Sequence, residues 1–486
     1  MSQSETTPAA ASTLSDAKRK LLGRISRGEF AKASASGQAI SPRPIGEAAP
    51  LGLAQEQIWH RCLRAIDKPP LYNESITVYR EGPLDIGILE QCFTEIVRRH
   101  EAWRTTYQRV SGRPLQVIHP APVAIKIPVV DLRKMRAGDR EVEAVRRATG
   151  LAQAPFDLNL GPLLRPLLFQ MDEAKFRLTI IAHQSIVDGV SVYQVLPKEL
   201  GALYEAFSAG KPSPLPELPI QYGDFAYWQR HWLQGEVFDQ QISYWRKQLA
   251  GGLPILRLPQ CRISPASETF RGVIKPFTVP RELAEAIREG CRREGTTLFM
   301  ILLGGFASLL HQYSGQDDIL IGTLSPAGRK RSEVQELMGY FLNPVALRFN
   351  FSGEPTFRDF LLNTRRLISE AISNDDVPLE YLAEVLKLNS ARDPFVKVAV
   401  SLQPQVLTVE SGWNVTSMDA QNGGTVWDLY LAFIEGENCL TGRTQYNPDV
   451  FQEATITALL EDLWRVLKMG VMNPQERVRN LLVTGV

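Results

Sequence analysis

One stretch near the middle of the chain changes its hydrophobic period from two to nearly four within a few residues. Apolar residues alternate over Phe176–Ile180, as in a half-buried β-strand, and recur at helical spacing over Val192–Phe207. Between them lie His183, Gln184 and Asp188, at the turn from strand to helix. Rigid elements on both sides would hold these polar side chains while leaving them accessible. The turn is therefore a candidate functional site.

Strand and helix patterns alternate on both sides of that turn, which favours a mixed α/β fold. Residues 75–79 alternate like a strand, and Asp85 is placed to cap the helix that follows. Further along, Thr297 is placed to cap a nearly all-apolar helix over 298–310, which must be buried on most sides. The sequence has no repeat with a period of roughly 20 to 50 residues, which excludes a solenoid.

The length of the chain predicts two packed units. A chain of 486 residues exceeds what one hydrophobic core usually supports, so two units of about 200 residues each are expected. Four prolines between 212 and 219 mark the boundary between them. The sequence thus divides into a flexible N-terminal arm with a linker over 1–44, a first lobe over 45–220 that carries the polar turn, and a second lobe over 221–486.

Charge and cysteine content narrow the class of protein. The 54 Lys and Arg residues nearly balance the 53 Asp and Glu residues, which argues against bulk binding of nucleic acid or of an anionic membrane. Five cysteines are scattered without metal-ligand spacing, as is typical of reduced thiols in a cytoplasmic protein. The apolar run over 298–310 is too short to span a bilayer, and the N-terminus lacks the order of a signal peptide. These features predict a cytoplasmic protein without a zinc site.

The stretch from His183 to Gly189 resembles the His-His-x-x-x-Asp-Gly motif of nonribosomal peptide synthetase condensation domains, relatives of chloramphenicol acetyltransferase. Gln184 stands where that family has its second histidine. Other landmarks of the family follow in the same order, and shared order is more specific than any single motif. They are Leu53–Trp59, Arg99–Thr105, Tyr222–Trp228, Gly339–Asn343 with Arg348, Asp376–Glu380 and, more loosely, Arg392–Phe395. The resemblance covers roughly residues 45 to 486 and implies two acetyltransferase-like lobes arranged as a V-shaped pseudo-dimer.

The resemblance also implies a reaction and its partners. Condensation domains form an amide between a donor acyl or peptidyl thioester and an acceptor aminoacyl thioester, each held on the phosphopantetheine arm of a carrier protein. The domain itself then binds no metal or cofactor, and the sequence has no phosphate-binding loop or metal-ligand cluster that contradicts this. In the N-terminal arm, a helical pattern over 15–25 predicts either a docking helix for an upstream synthetase subunit or a solvated, frayed segment.

By the same resemblance, each residue of the motif has an expected role. His183 is expected to orient the turn through hydrogen bonds, and Gly189 to let the backbone turn tightly. Asp188 is expected to be structural, paired in the interior with an arginine, of which Arg329 is the first choice because a buried carboxylate must be paired. Two residues from other landmarks are expected to support the site: Arg104 and Asn343.

The residue at position 184 decides between mechanisms. Amide formation from a thioester needs a deprotonated amine and stabilisation of the oxyanion. Glutamine donates and accepts hydrogen bonds but exchanges no proton near neutral pH, so Gln184 could keep an orienting role and lose a general-base role. Loss of positioned acid–base catalysis costs about 10²–10⁴-fold in rate. Gln184 indicates either an engineered, activity-reduced protein or a natural domain that tolerates or has abandoned condensation.

Two other classes of function stay open on the sequence. A catalytically silent, condensation-like platform that recruits carrier proteins or a tailoring enzyme would also account for Gln184. A relative that makes an ester, or that transfers acyl groups from coenzyme A, would keep the same fold. Heterocyclisation is disfavoured because that branch has Asp where this chain has His183, and the landmarks at Asn343 and 392–395 favour condensation over epimerisation.

Overall fold

The computed structural model describes seven segments of the chain, in which eleven α-helices and fourteen β-strands form. The segments are residues 39–65, 68–258, 269–388, 396–406, 412–416, 418–436 and 439–482. The helix expected over 15–25 and the landmark at 392–395 lie outside the described residues.

The strands form three sheets, in the orders β1-β4-β3, β12-β2-β7-β6-β5 and β10-β9-β11-β13-β14-β8. Their bounds are β1 Ala49–Pro50, β2 Asn73–Glu81, β3 Thr105–Val110, β4 Arg113–Ile118, β5 Val129–Asp131, β6 Leu164–Asp172, β7 Lys175–His183, β8 Val273–Thr278, β9 Asp318–Ser325, β10 Asn343–Asn350, β11 Val398–Gln403, β12 Trp413–Thr416, β13 Leu429–Glu435 and β14 Leu440–Tyr446.

The helices pack around the two larger sheets. Their bounds are α1 Leu53–Arg64, α2 Ile86–Arg99, α3 Ala137–Gln153, α4 Leu196–Ser208, α5 Tyr222–Trp232, α6 Gly235–Gln248, α7 Arg281–Glu294, α8 Leu298–Ser314, α9 Phe357–Ile372, α10 Leu379–Val385 and α11 Glu453–Met472. Helix starts follow the expected caps: the carboxylate of Asp85 accepts from the Ile88 N–H at 3.1 Å, and the Thr297 hydroxyl accepts from the Met300 N–H at 3.3 Å.

The five-stranded sheet is the base of the first lobe and carries the polar turn at the end of β7. Antiparallel pairing of β2 with β7 sets Asn73 opposite His183. All of β7 after Lys175 is buried, because β2 and β6 flank it and helices cover it. The chain therefore reaches His183 on a strand whose register is fixed along its whole length.

The six-stranded sheet is the base of the second lobe. Its strands β9, β11 and β13 pair in parallel, and the remaining pairs are antiparallel. The apolar helix α8 is buried over most of its length and contacts α7, α9 and α11 in the same core. In the described part of the chain no single helix is long and apolar enough to cross a membrane; α7 and α8 reach that length only as a pair bent by 107°.

One strand crosses from the second half of the chain into the first lobe. β12 pairs with the outer edge of β2, with Trp413 opposite Arg80. The Trp413 ring is fully buried in the first core, 5.5 Å from the ring of Tyr204. Three residues beyond β12, Asp419 lies 2.9 Å from the guanidinium of Arg177, which is fully buried in β7. The two halves of the sequence are thus interleaved, and the lobe boundary near 220 stays a prediction.

We expect Trp413→Ala to lower the free energy of unfolding by about 3–5 kcal/mol, because the substitution removes a fully buried ring where the two halves of the chain meet. Urea unfolding followed by tryptophan fluorescence and circular dichroism measures the loss. Trp413→Phe is the matched control, since it keeps an aromatic ring in the same core and should lose less. A cost under about 1 kcal/mol for the alanine variant would show that β12 does not hold the halves together.

Candidate active site at the end of strand β7

The polar turn is held by backbone hydrogen bonds before any side chain acts. The His183 N–H donates to the Leu163 carbonyl at 2.9 Å, and the Gln184 N–H donates to the Tyr72 carbonyl at 2.7 Å. Residues Gln184–Ile186 form one 3-10 turn, and a π-helical turn over Ser191–Val195 leads into α4. The expected strand-turn-helix arrangement is confirmed.

A chain of hydrogen bonds that begins at Gln55, in the landmark Leu53–Trp59, fixes the orientation of His183. The Gln55 amide donates to the Tyr107 hydroxyl at 2.9 Å, and Tyr107 donates to the Ser185 hydroxyl at 2.9 Å. Ser185 Oγ lies 2.7 Å from His183 Nδ1, and the Ser185 backbone N–H donates to the same nitrogen at 3.3 Å. Because a backbone N–H points at Nδ1, that nitrogen is the acceptor and the ring proton lies on Nε2.

His183 is neutral in this environment. Complete burial lowers the pKa of its imidazole to about 3. Its Nε2 faces Cys62 Sγ at 3.6 Å, and burial raises the pKa of that thiol to about 12. Neither group is ionised near neutral pH, so the pair does not form a thiolate nucleophile. The orienting role expected for His183 fits these contacts.

Asp188 forms the interior ion pair that was expected with Arg329. Its Oδ1 accepts from Nη2 of Arg329 at 2.8 Å and its Oδ2 accepts from Nε at 3.0 Å, a bidentate contact. Both side chains are completely buried. The carboxylate also accepts from the backbone N–H and the hydroxyl of Ser191, each at 2.8 Å, and from the Phe341 N–H at 3.3 Å.

The other donors of Arg329 extend this pair into the second half of the chain. Its Nη1 donates to the carbonyls of Val334 at 2.6 Å and Leu337 at 2.7 Å. Its guanidinium lies 4.1 Å from the ring centroid of Phe341, a cation–π contact. The ion pair therefore ties the motif of the first lobe to the segment that leads into β10.

Gly189 serves close packing and not a tight turn, which corrects the sequence-based expectation. Among the described residues, Gly189 is not one of the glycines with a positive φ. A residue with a side chain could therefore adopt its backbone conformation. A Cβ at this position would lie 2.9 Å from Oε1 of Gln403 and 3.0 Å from Cδ of Pro404. A side chain at position 189 would therefore require Gln403 and Pro404 to shift.

Gln184 lines a cavity between the two lobes of about 1190 Å³, a volume that includes the solvent at its mouth. No hydrogen bond joins its side-chain amide to any other described residue, and the side chain is half-buried. Two ion pairs line the same cavity, Arg443 with Glu74 at 3.5 Å and Arg61 with Glu380 at 2.7 Å. A free amide in a cavity with charged walls can donate and accept hydrogen bonds to a bound substrate.

Sequence reasoning missed Glu74 and Arg443 as cavity residues. Glu74 follows Asn73, which pairs with His183, and the next residue of a strand faces the opposite side of the sheet. Once β2 is paired with β7, that alternation places Glu74 and Gln184 on one face. Arg443 lies on β14 of the other sheet, so only the tertiary structure brings it to the same cavity.

The two residues expected to support the site make different contacts. Nδ2 of Asn343 donates to the carbonyls of Asp375 at 2.7 Å and Asp376 at 3.0 Å, which holds the loop before α10 against β10. Nη1 of Arg104 donates to the His119 carbonyl at 2.5 Å, and its Nη2 lies 3.8 Å from the carboxylate of Glu101. Within the described structure no hydrogen bond or ion pair joins Arg104 to the motif, and a supporting role for either residue stays a prediction.

Comparisons with known proteins match this family and fold. The sequence model of the family described as "Condensation domain" matches residues 46–485. A linear gramicidin synthase protein of Brevibacillus parabrevis is 36% identical over 464 residues, 94% of this chain and 6% of that protein. The X-domain from teicoplanin biosynthesis superposes with a TM-score of 0.79 at 25% identity, covering 91% of this chain and 99% of that one. Its complex with OxyB gives 0.78 at 24% identity, covering 92% and 99%.

These matches define the class of fold: an α/β protein with the chloramphenicol acetyltransferase-like fold that the resemblance implied. The chain belongs to the condensation domain family of nonribosomal peptide synthetases, whose members catalyse peptide bond formation. It spans only 6% of the length of the linear gramicidin synthase protein, so it corresponds to one part of such a synthetase.

We expect Asp188→Asn to destabilise the protein by about 3–5 kcal/mol, because it leaves the completely buried Arg329 without its counter-charge. Thermal and urea unfolding measure the loss. Asp318→Asn is the matched control: Asp318 also pairs with an arginine, Arg348 at 2.7 Å, but its side chain is 46% exposed, and loss of such a pair costs under about 1 kcal/mol. Equal stability of the two variants would remove the structural role assigned to Asp188.

The lowered pKa of His183 predicts a pH dependence of stability. The folded-state pKa of about 3 lies below the unfolded value of 6.5, so the unfolded chain binds the extra proton first as the pH falls. The stability that the neutral ring contributes is fully present above pH 6.5 and is lost between pH 6.5 and pH 3. His183→Asn should therefore show a shallower decline over this range, whereas His231→Asn, at an exposed histidine, should keep the slope of the parent. An NMR titration of His183 near pH 6.5 would contradict the assignment.

Proposed function

We propose that the chain forms an amide between a donor acyl or peptidyl thioester and the amine of an acceptor aminoacyl thioester, both delivered on the phosphopantetheine arms of carrier proteins. The observation that carries this proposal is the position of Gln184. It is the motif residue with a free side chain, and it lies in a cavity between the lobes beside a turn locked by Asp188 and Arg329. Membership of the condensation family supplies the reaction class.

In the reaction, the amine nitrogen attacks the thioester carbonyl, the carbon–sulfur bond breaks, and one proton passes from the nitrogen to the leaving thiolate. The Gln184 amide oxygen accepts a hydrogen bond from the amine, and this orients the nitrogen lone pair toward the carbonyl carbon. His183 takes no proton, because its pKa is about 3 and its ring is buried. It acts as a positioning residue that holds the turn through Ser185.

The charged walls of the cavity suit the acceptor side of this reaction. Glu74 and Glu380 carry carboxylates into the cavity and are paired with Arg443 and Arg61. The charges of these carboxylates are balanced by the two arginines, and their oxygens can accept hydrogen bonds from the acceptor amine. Gln184 on the same cavity wall is then available to the amine once it is neutral.

The remaining partner and compartment assignments belong to the same proposal. An upstream synthetase subunit would dock on the N-terminal arm over 1–44, and the reaction would take place in the cytoplasm. The lobe boundary near 220 and the supporting roles of Arg104 and Asn343 are part of it as well.

A second candidate function is a catalytically silent platform for a tailoring enzyme. Gln184 favours it, because the catalytic second histidine of the family is missing. The likeness to the teicoplanin X-domain, which forms a complex with OxyB, adds weak support since that comparison establishes fold. An ester-forming or acyl-transferring relative differs only in the acceptor.

We expect Gln184→His to raise single-turnover amide formation by about 10²–10⁴-fold, because histidine accepts the amine proton near neutral pH and glutamine does not. Both carriers are preloaded, and the product on the acceptor carrier is measured by mass spectrometry. Gln240→His is the matched control, since Gln240 is exposed on α6, does not line the cavity and should leave the rate unchanged.

The other outcomes of this assay separate the alternatives. Equal rates for the parent and Gln184→His would show that residue 184 acts by orientation alone. Product from neither protein would favour the platform. Product only with a hydroxyl acceptor, or only with a coenzyme A donor, would assign the chain to the ester-forming or acyl-transferring relatives.

A further inference from the structure

The ion pair of Arg443 and Glu74 in the cavity of Gln184 is incomplete. Arg443 is 8% exposed, and its nearest partner in the described chain is Glu74, whose Oε2 lies 3.5 Å from Nη2. Hydrogen bonds between a guanidinium and a carboxylate are ordinarily about 2.7–2.9 Å long. Nε of Arg443 has no hydrogen-bond partner among the described residues. Most of the N–H donors of this buried side chain are therefore unused.

The other buried arginines of the described chain differ from Arg443 in this respect. A buried guanidinium without acceptors loses its hydration without compensation, so each of the others donates at least one short hydrogen bond. The arginines that do so, at 3.0 Å or less, are Arg61, Arg99, Arg177 and Arg329. Arg443 is the exception, and the unused Nη donors of its guanidinium are available to a ligand in the cavity.

The polar neighbours of Arg443 on the sheet of the second lobe already have other partners. Gln445 lies two residues further along β14, on the same face, and donates its amide to the Gly424 carbonyl at 2.6 Å. The Tyr430 hydroxyl, on the adjacent strand β13, lies 2.6 Å from Ser401 Oγ. The guanidinium is therefore not hydrogen-bonded on its own sheet in the described structure, and its counter-charge comes from the other lobe.

Glu74 leaves room for a ligand on its side of the cavity. Its side chain is 27% exposed, and no hydrogen bond joins its carboxylate to another described residue. The second ion pair of the cavity is tighter, since Nη2 of Arg61 lies 2.7 Å from Glu380. Arg443 and Glu74 thus present unused donors beside unused acceptors, and the pair as a whole carries no net charge.

The pair lies within reach of an aminoacyl group held at Gln184. Glu74 on β2 is the pairing partner of Ala182 on β7, and Gln184 follows Ala182 by two residues. Two residues of a strand span about 7 Å. Standard bond lengths place the side-chain carboxamide of an extended glutamine roughly 5–6 Å from its α-amine. A substrate whose amine contacts Gln184 can therefore reach Arg443 and Glu74 with a side chain of this length.

We propose that Arg443 and Glu74 select the acceptor by binding a carboxamide side chain of the size of glutamine. The carboxamide oxygen accepts from the Nη groups of Arg443, and the carboxamide NH2 group donates to the carboxylate of Glu74. A carboxylate at this place is repelled by Glu74, an ammonium ion is repelled by Arg443, and an alkyl group leaves both unpaired. The inference rests on the proposed amide formation, in which Gln184 receives the acceptor amine, and adds an acceptor class to it.

Isothermal titration calorimetry tests the inference without any condensation step. The probes are the N-(2-acetamidoethyl) α-amides of L-glutamine, L-glutamate, L-ornithine and L-norleucine, in which an amide replaces the thioester so that no acyl transfer occurs. We expect the parent to bind the glutamine probe about tenfold more tightly than each of the other three, because only the carboxamide pairs with both groups. The Nα-acetylated glutamine probe, which resembles a donor, should bind more weakly than the free amine.

Two substitutions should move the preference in opposite directions. Glu74→Gln leaves Arg443 without its counter-charge, so the glutamate probe should become the tightest ligand, by about tenfold over the glutamine probe. Arg443→Gln leaves Glu74 unpaired, so the ornithine probe should become the tightest. Glu173→Gln is the matched control: Glu173 pairs with Arg133 at 2.9 Å at an exposed site outside the cavity, and its loss should keep the order of the parent.

Equal affinities of the parent for the glutamine and norleucine probes would overturn the inference, as would an order of affinities that Glu74→Gln leaves unchanged. Tighter binding of the acetylated probe than of the free amine would overturn the assignment to the acceptor. If Arg443→Gln fails to fold, Glu74→Gln decides alone. A glutamine preference that Glu74→Gln converts, in a protein that forms no amide even as Gln184→His, would support this pair as a binding site and refute the proposed condensation alone.

Discussion

The arrangement of this site depends on the desolvation of two opposite charges. Asp188 and Arg329 are both completely buried, and each charge is tolerated in the interior only because the other lies in bidentate contact with it. Arg329 also donates to the Val334 and Leu337 carbonyls, and Asp188 also accepts from the Phe341 N–H. Because the two buried charges must stay paired, their contact fixes the position of the motif relative to β10.

The histidine of the motif is held by a separate network of neutral groups. Gln55, Tyr107 and Ser185 lie far apart in the sequence, yet their hydrogen bonds form one line that ends at Nδ1 of His183. Such a line orients a ring without ionising it, and burial keeps the ring neutral. An ion pair thus fixes Asp188, and hydrogen bonds between neutral groups fix His183. The side chain of Gln184, next to His183 in the chain, makes no hydrogen bond to another described residue.

The sequence predicted local structure well because local structure depends on nearby residues. The caps at Asp85 and Thr297 and the turn after β7 follow from spacing alone. Arg329, a partner remote in sequence, was expected because the family resemblance makes Asp188 structural and a buried carboxylate must be paired. The pairing of Glu74 with Arg443 depends on how two sheets face each other, and the reason for Gly189 depends on Gln403 at the end of β11. Neither contact leaves a periodic signal in the sequence.

Because β12 crosses between the halves, the first lobe cannot complete its sheet until late in synthesis. β2 is complete at Glu81, but the strand that covers its outer edge begins only at Trp413. During synthesis, the first lobe therefore presents a bare row of backbone donors and acceptors while most of the remaining chain is still being made. A fragment that ends before Trp413 keeps this open edge permanently, so truncation after the first lobe creates a surface that can recruit strands from other molecules.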